Sequence, residues 1–125
     1  MSPDAAITLR IRRTPYGAPA VERLVVAVGA RADLPVERLD EARLLAAVAV
    51  REAWGVLAAD VMELRIGSTG GRVVVDIGPF QDGGAERVAQ SAPVPGAGGV
   101  VDRLASGWSA RSGEDGSRRL EILIG

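Results

Sequence analysis

The chain has 125 residues, a formal net charge of −1, and neither cysteine nor histidine. Those absences exclude thiol chemistry, disulfides, zinc sites of the usual type and histidine-based triads. A charge so near zero argues against nucleic acid as a partner, since that needs a clustered basic excess. The length fits one domain over residues 1–125, able to fold without a metal or disulfide staple. Every basic residue is arginine, which with abundant Ala and Gly reflects a GC-rich genome more simply than arginine chemistry. Met1-Ser2-Pro3-Asp4 lacks the charged and apolar regions of a signal peptide. No apolar run approaches the ~20 residues of a membrane span. The expectation is a soluble, cytoplasmic domain with no membrane partner.

Ile7, Leu9 and Ile11 alternate with Thr8, Arg10 and Arg12, the period of a half-buried strand. Thr14 to Pro19 reads as a turn. Val21, Leu24, Val25 and Val28 then follow helical spacing within Ala20 to Ala32, with Glu22, Arg23 and Arg31 on the other face. Asp33-Leu34-Pro35 ends this helix and opens a second, from Val36 or Leu39 to Leu57. The stretch Leu44 to Val50 is apolar on every side, as in a buried helix. Met62, Leu64 and Ile66 mark a strand, and Gly67 to Gly71 turns it into the next, Arg72 to Ile77. In Val73-Val74-Val75-Asp76-Ile77-Gly78-Pro79-Phe80, the valines favour a pleated backbone, and Gly78-Pro79 is expected to stop the strand just after Asp76. A short helix is expected around Ala85 to Gln90, then a connector at Pro93 to Gly99 and a short helix from Val100. A last hairpin runs from Trp108 to Ala110 and Arg119 to Ile124. The order β, α, α, β, β, loop, α, β, β implies an α+β two-layer sandwich: a mixed, largely antiparallel sheet with helices on one face.

This pattern resembles the Bergerat-like ATP-binding fold of histidine kinases and related ATPases, and within it the serine-kinase anti-sigma factors of bacteria. Val21 to Asp33 followed by Leu39-Asp40-Glu41-Ala42-Arg43-Leu44-Leu45 is similar to that family's first two helices. Val73 to Phe80 is similar to its Asp-x-Gly-x-Gly adenine loop, with Phe80 where the second glycine is preferred. Gly96 to Val101 is similar to its second glycine box, and Val100 to Ile124 to its closing helix and hairpin.

The resemblance implies that Asp76 and Gly78 meet the adenine, a carboxylate accepting from the exocyclic amine. It implies that Gly96, Gly98 and Gly99 cradle phosphate ahead of a helix. An Asx-type turn at Asp76 and a plain linker at the glycines are the competing structural readings.

The family also places a Glu general base and, four residues on, an Asn that ligates Mg²⁺. Aligning on Leu39-Asp40-Glu41 puts Val48 at the base and Glu52 at the metal position; aligning on Arg51-Glu52-Ala53 puts Glu52 at the base and Val56 at the metal. In either register one group has become valine, which cannot accept a proton or bind a hard cation. Glu52 is thus the candidate catalytic residue, with no metal ligand set beside it, and a solvated helix residue is its bland reading.

Three functions follow. The first is a degenerate anti-sigma-like domain that regulates transcription by binding a sigma factor or an anti-anti-sigma protein, as a homodimer and with weak or no ATP binding. The second is an active ATP- and Mg²⁺-dependent serine kinase. The third is an α+β interaction module without nucleotide.

Overall fold

A computed structural model describes residues 4–91 and 98–125. The expected order appears, save that a short helix stands where that order has a loop after the third strand: β1 (Asp4–Arg12), α1 (Gly17–Arg31), α2 (Val36–Ala53), β2 (Val61–Thr69), β3 (Arg72–Phe80), α3 (Gly84–Gln90), α4 (Val100–Leu104), β4 (Gly107–Ser112) and β5 (Arg118–Ile124). The five strands form one sheet in the order β1-β2-β3-β5-β4, with every neighbouring pair antiparallel. The fold is α+β, an antiparallel sheet with four helices among the described residues. None of those helices is long and apolar enough to cross a membrane.

The helices share one core with one face of the sheet. Val21 and Val25 of α1, Leu45, Ala49 and Ala53 of α2, Val88 of α3 and Val101 of α4 pack with Leu64, Ile66, Val73, Val75, Ile77, Leu120 and Ile122. Side chains alternate across a strand, so the residues between these point to the other face. That face bears Thr8 and Arg10 of β1, Glu63 and Arg65 of β2, Asp76 and Gly78 of β3, Arg119 and Glu121 of β5, and Ser109 and Arg111 of β4. Their cross-strand register fixes this: Thr8 opposite Arg65, Arg65 opposite Asp76, Asp76 opposite Glu121, and Glu121 opposite Ser109.

Several boundaries differ from the sequence expectation, each for a local reason. Helix α1 begins at Gly17, so Pro19 lies inside its first turn. The first full helical bond is Ala20 N–H to Tyr16 O, so the amide that Pro19 lacks has no intrahelical partner to lose. Asp33, at φ 60, makes the turn between α1 and α2. Helix α2 stops at Ala53 because the chain tightens: Val56 N–H bonds Ala53 O three residues back, and Leu57 leaves to bridge Phe80.

The chief correction concerns β3. Gly78 and Pro79 do not stop it, and Asp76 sits in mid-strand rather than at a loop lip, since the strand continues to Phe80. Pro79 has no N–H for a ladder, but its carbonyl accepts from Ala58 N–H at 2.9 Å, and the β3–β5 register shifts between Ile77 and Phe80. A strand tolerates proline at such an irregularity.

Candidate functional site

Asp76 is only 4% exposed although no helix covers its face of the sheet. Arginines cover it instead. Arg119 donates its Nε–H to Asp76 Oδ1, and Arg111 donates from Nη2 to Oδ2. Arg111 also pairs with Glu121 at 3.5 Å, while Arg119 reaches Glu63 Oε2 at 3.9 Å and donates to Glu63 O at 3.0 Å. Glu63 in turn meets Arg10 at 3.4 Å. Three carboxylates and three guanidiniums thus alternate across all five strands, and the cluster is neutral. No buried side-chain polar atom lacks a hydrogen-bond partner among the described residues.

Gly78 belongs to this cluster through its size. It pairs with Glu63 across β2, in the path that the Arg119 side chain takes over β3. A Cβ there would stand 3.0 Å from Arg119 Nη1 and 3.1 Å from Arg119 Cγ, with Arg118 O also at 3.0 Å. Glycine keeps this row open so that Arg119 can span from β5 to β2. Asp76 and Gly78 are therefore brought together, but around an arginine.

A cavity of about 360 Å³ lies above the cluster, lined by Asp76, Arg111 and Arg119 together with Thr8, Glu63, Arg65, Gly113, Glu114 and Asp115. Its lining comes from the sheet and the β4–β5 turn, with no residue of α2 or α4. In that turn, the Ser117 hydroxyl donates to Asp115 Oδ1 at 2.6 Å and the Ser117 amide at 3.0 Å. The hydroxyl first and the amide second hold the exposed Asp115 carboxyl below its ordinary pKa of 3.8.

The remaining candidates lie with the helices. Glu52 is half-buried on α2, and it makes no ion pair or side-chain hydrogen bond among the described residues. Val48, its counterpart in the alternative register, is buried. Gly98 has φ 76, and Gly99 is the residue before α4, packed so that a Cβ would meet Ala89 O at 3.2 Å. Gly96 lies outside the described residues. Helix α4 spans five residues and carries Asp102 in its first turn, while Val100 N–H is already given to Ser91 O. That end offers a phosphate few free amides and a like charge. A cavity of about 240 Å³ here is lined by Leu44, Gly98, Val100, Arg103 and Leu104, none of them on the sheet. Asp76 therefore lines one site, with Gly78 beneath Arg119 at its edge, and Gly98 lines another. Glu52 lines neither.

No group of three or more His, Cys, Asp or Glu able to hold a metal ion occurs among the described residues. The network around Asp76 escaped sequence reasoning because its arginines are 35 and 43 residues away in the chain. One signal was present: β5 alternates Arg119 and Glu121 with Leu120 and Ile122, so it carries one charged face. No protein-family model and no curated protein matches the chain.

Proposed function

We propose that this chain is a degenerate anti-sigma-like domain that regulates transcription by holding a protein partner, a sigma factor or an anti-anti-sigma protein, without nucleotide chemistry. The observation that carries this reading is the state of Asp76. Both of its oxygens are taken by guanidinium groups, that of the buried Arg119 and that of the more exposed Arg111. A carboxylate so engaged would have to give up a charge-assisted bond to accept from an adenine amine, a poor exchange. The helix side supports the same view. The cavity at Gly98 is smaller than the ~300–1,000 Å³ usual for ligands of drug size, and apolar Leu44, Val100 and Leu104 line it. Among the described residues Glu52 belongs to no group of three or more His, Cys, Asp or Glu that could hold Mg²⁺, and it does not line the cavity at Asp76, while phosphoryl transfer depends on a positioned metal and positioned charges.

In this reading the helical layer meets the partner. Leu44 is 51% exposed in the middle of α2, an apolar side chain at the edge of that shallow cavity. The test is complex formation with candidate sigma factors and anti-anti-sigma proteins, followed by size-exclusion chromatography. A complex that Leu44→Asp abolishes while thermal unfolding is unchanged supports the proposal. Saturable ATP–Mg²⁺ binding that Asp76→Asn removes contradicts it and restores the kinase reading.

A further inference from the structure

A second place gathers charge of one sign. Where β1 runs into α1, beside the end of α2, a groove of about 430 Å³ is lined by Arg13, Thr14, Pro15, Ala18, Arg51 and Trp54. Its two charges are both positive in a protein of net charge −1, and no carboxylate lines it. The first turn of α1 adds no acid either. Arg13 makes no ion pair among the described residues. Arg51 gives its Nε–H to Ala47 O at 3.3 Å, which ties the stem to the helix and leaves its terminal NH₂ groups to donate. Thr14 Oγ1 accepts from Tyr16 N–H at 3.3 Å, so its own proton is available.

The two tryptophans differ in the same sense. Trp108 donates its indole N–H to Asp102 at 2.6 Å, whereas no protein acceptor takes that of Trp54 among the described residues. Trp54 is half-buried, and with Pro15 and Ala18 it supplies an apolar wall.

We infer that this groove binds a small organic anion, a carboxylate or phosphate head carried on a flat apolar group. The guanidinium forks of Arg13 and Arg51 take the head, as such forks pair with planar or tetrahedral oxyanions. Trp54, Pro15 and Ala18 take the apolar part. The groove is separate from the Asp76 cluster and from Leu44, so the inference stands or falls apart from the function proposed above.

The test uses the full chain and follows the two indole N–H signals by NMR, assigned with Trp54→Phe. Phenyl phosphate should shift the Trp54 signal saturably and leave that of Trp108 in place. Arg13→Ala and Arg51→Ala should each weaken binding about tenfold, a loss of one charge-assisted contact. Arg23→Ala, an exposed arginine of α1, should leave it unchanged. Inorganic phosphate should bind more weakly because it lacks the apolar part. Comparing benzoate with phenyl phosphate identifies the head group, and either preference supports the site. The inference is overturned by no saturable Trp54 shift at about 10 mM phenyl phosphate, ten times a millimolar Kd. It is equally overturned by a shift that survives Arg13→Ala/Arg51→Ala, or by inorganic phosphate binding as tightly as phenyl phosphate.

Discussion

On β3, neighbouring side chains enter two different environments. Val73, Val75 and Ile77 point at the helices and are buried by hydrocarbon; Asp76 points the other way and is buried almost as completely by arginine. The helix-covered face gains from removing apolar surface from water, a force that needs no precise geometry. The open face has no second layer, and its central carboxylate leaves water only because Arg111 and Arg119 replace that water with charged donors. Such a cluster contributes little net stability compared with apolar packing, yet losing one member strands its partners. The comparison shows how one strand can carry a tolerant core on one side and an interdependent charge cluster on the other.

Variants can break this comparison at different depths. The two largest effects are comparable in size: Leu45→Ala on the core side, where a fully buried side chain leaves a cavity, should lose about 2–5 kcal/mol in denaturant unfolding. Asp76→Ala should cost about 3–5 kcal/mol by the same measurement, as Arg119 is left buried without its carboxylate. Replacing the buried group together sharpens the contrast: Asp76→Leu/Arg111→Met/Arg119→Met/Glu121→Leu, which leaves no buried carboxylate without its arginine, should fold with stability much closer to the parent than Asp76→Ala. No such rescue is expected on the core face. Gly78→Ala tests the crossing of Arg119 and should cost about 1–3 kcal/mol, as overpacking does.

The smallest effect concerns the edge of the charged face. The Asp115 carboxyl is held below its ordinary value by Ser117, so its folded pKa is depressed. Its contribution to the β4–β5 turn is therefore fully present above pH 3.8 and is lost as pH falls through the lower folded value. An NMR titration should show the Ser117 amide signal moving with a midpoint below pH 3.8, and Ser117→Ala should raise that midpoint.

Much of the architecture was legible in the chain. Alternation at Ile7, Leu9 and Ile11, helical spacing from Val21 and the all-apolar middle of α2 are local signals, and the matching elements appear. The run Val73 to Phe80 was legible as a strand but not in its extent. Gly78 and Pro79 carry a strong local stop signal, which tertiary contacts override through the Pro79 carbonyl and the bridge from Leu57. The surroundings of Asp76 were not legible, because they depend on β5 lying beside β3 and on a glycine that makes room for a side chain from another strand. The same Asp-x-Gly that resembles an adenine loop is here the seat of an ion-pair cluster. Short motifs cannot distinguish these uses without the register of the strands around them.

The most direct test of this account is calorimetric titration of ATP with Mg²⁺ into the Arg13→Ala/Arg51→Ala variant, which removes the separate anion groove as a source of heat. The account predicts no saturable heat at millimolar nucleotide and no rise in Tm, where a ligand at 100 times its Kd would add about 2.7 kcal/mol. A saturable, Mg²⁺-dependent heat that disappears on adding Asp76→Asn, in a protein that remains folded, would contradict it.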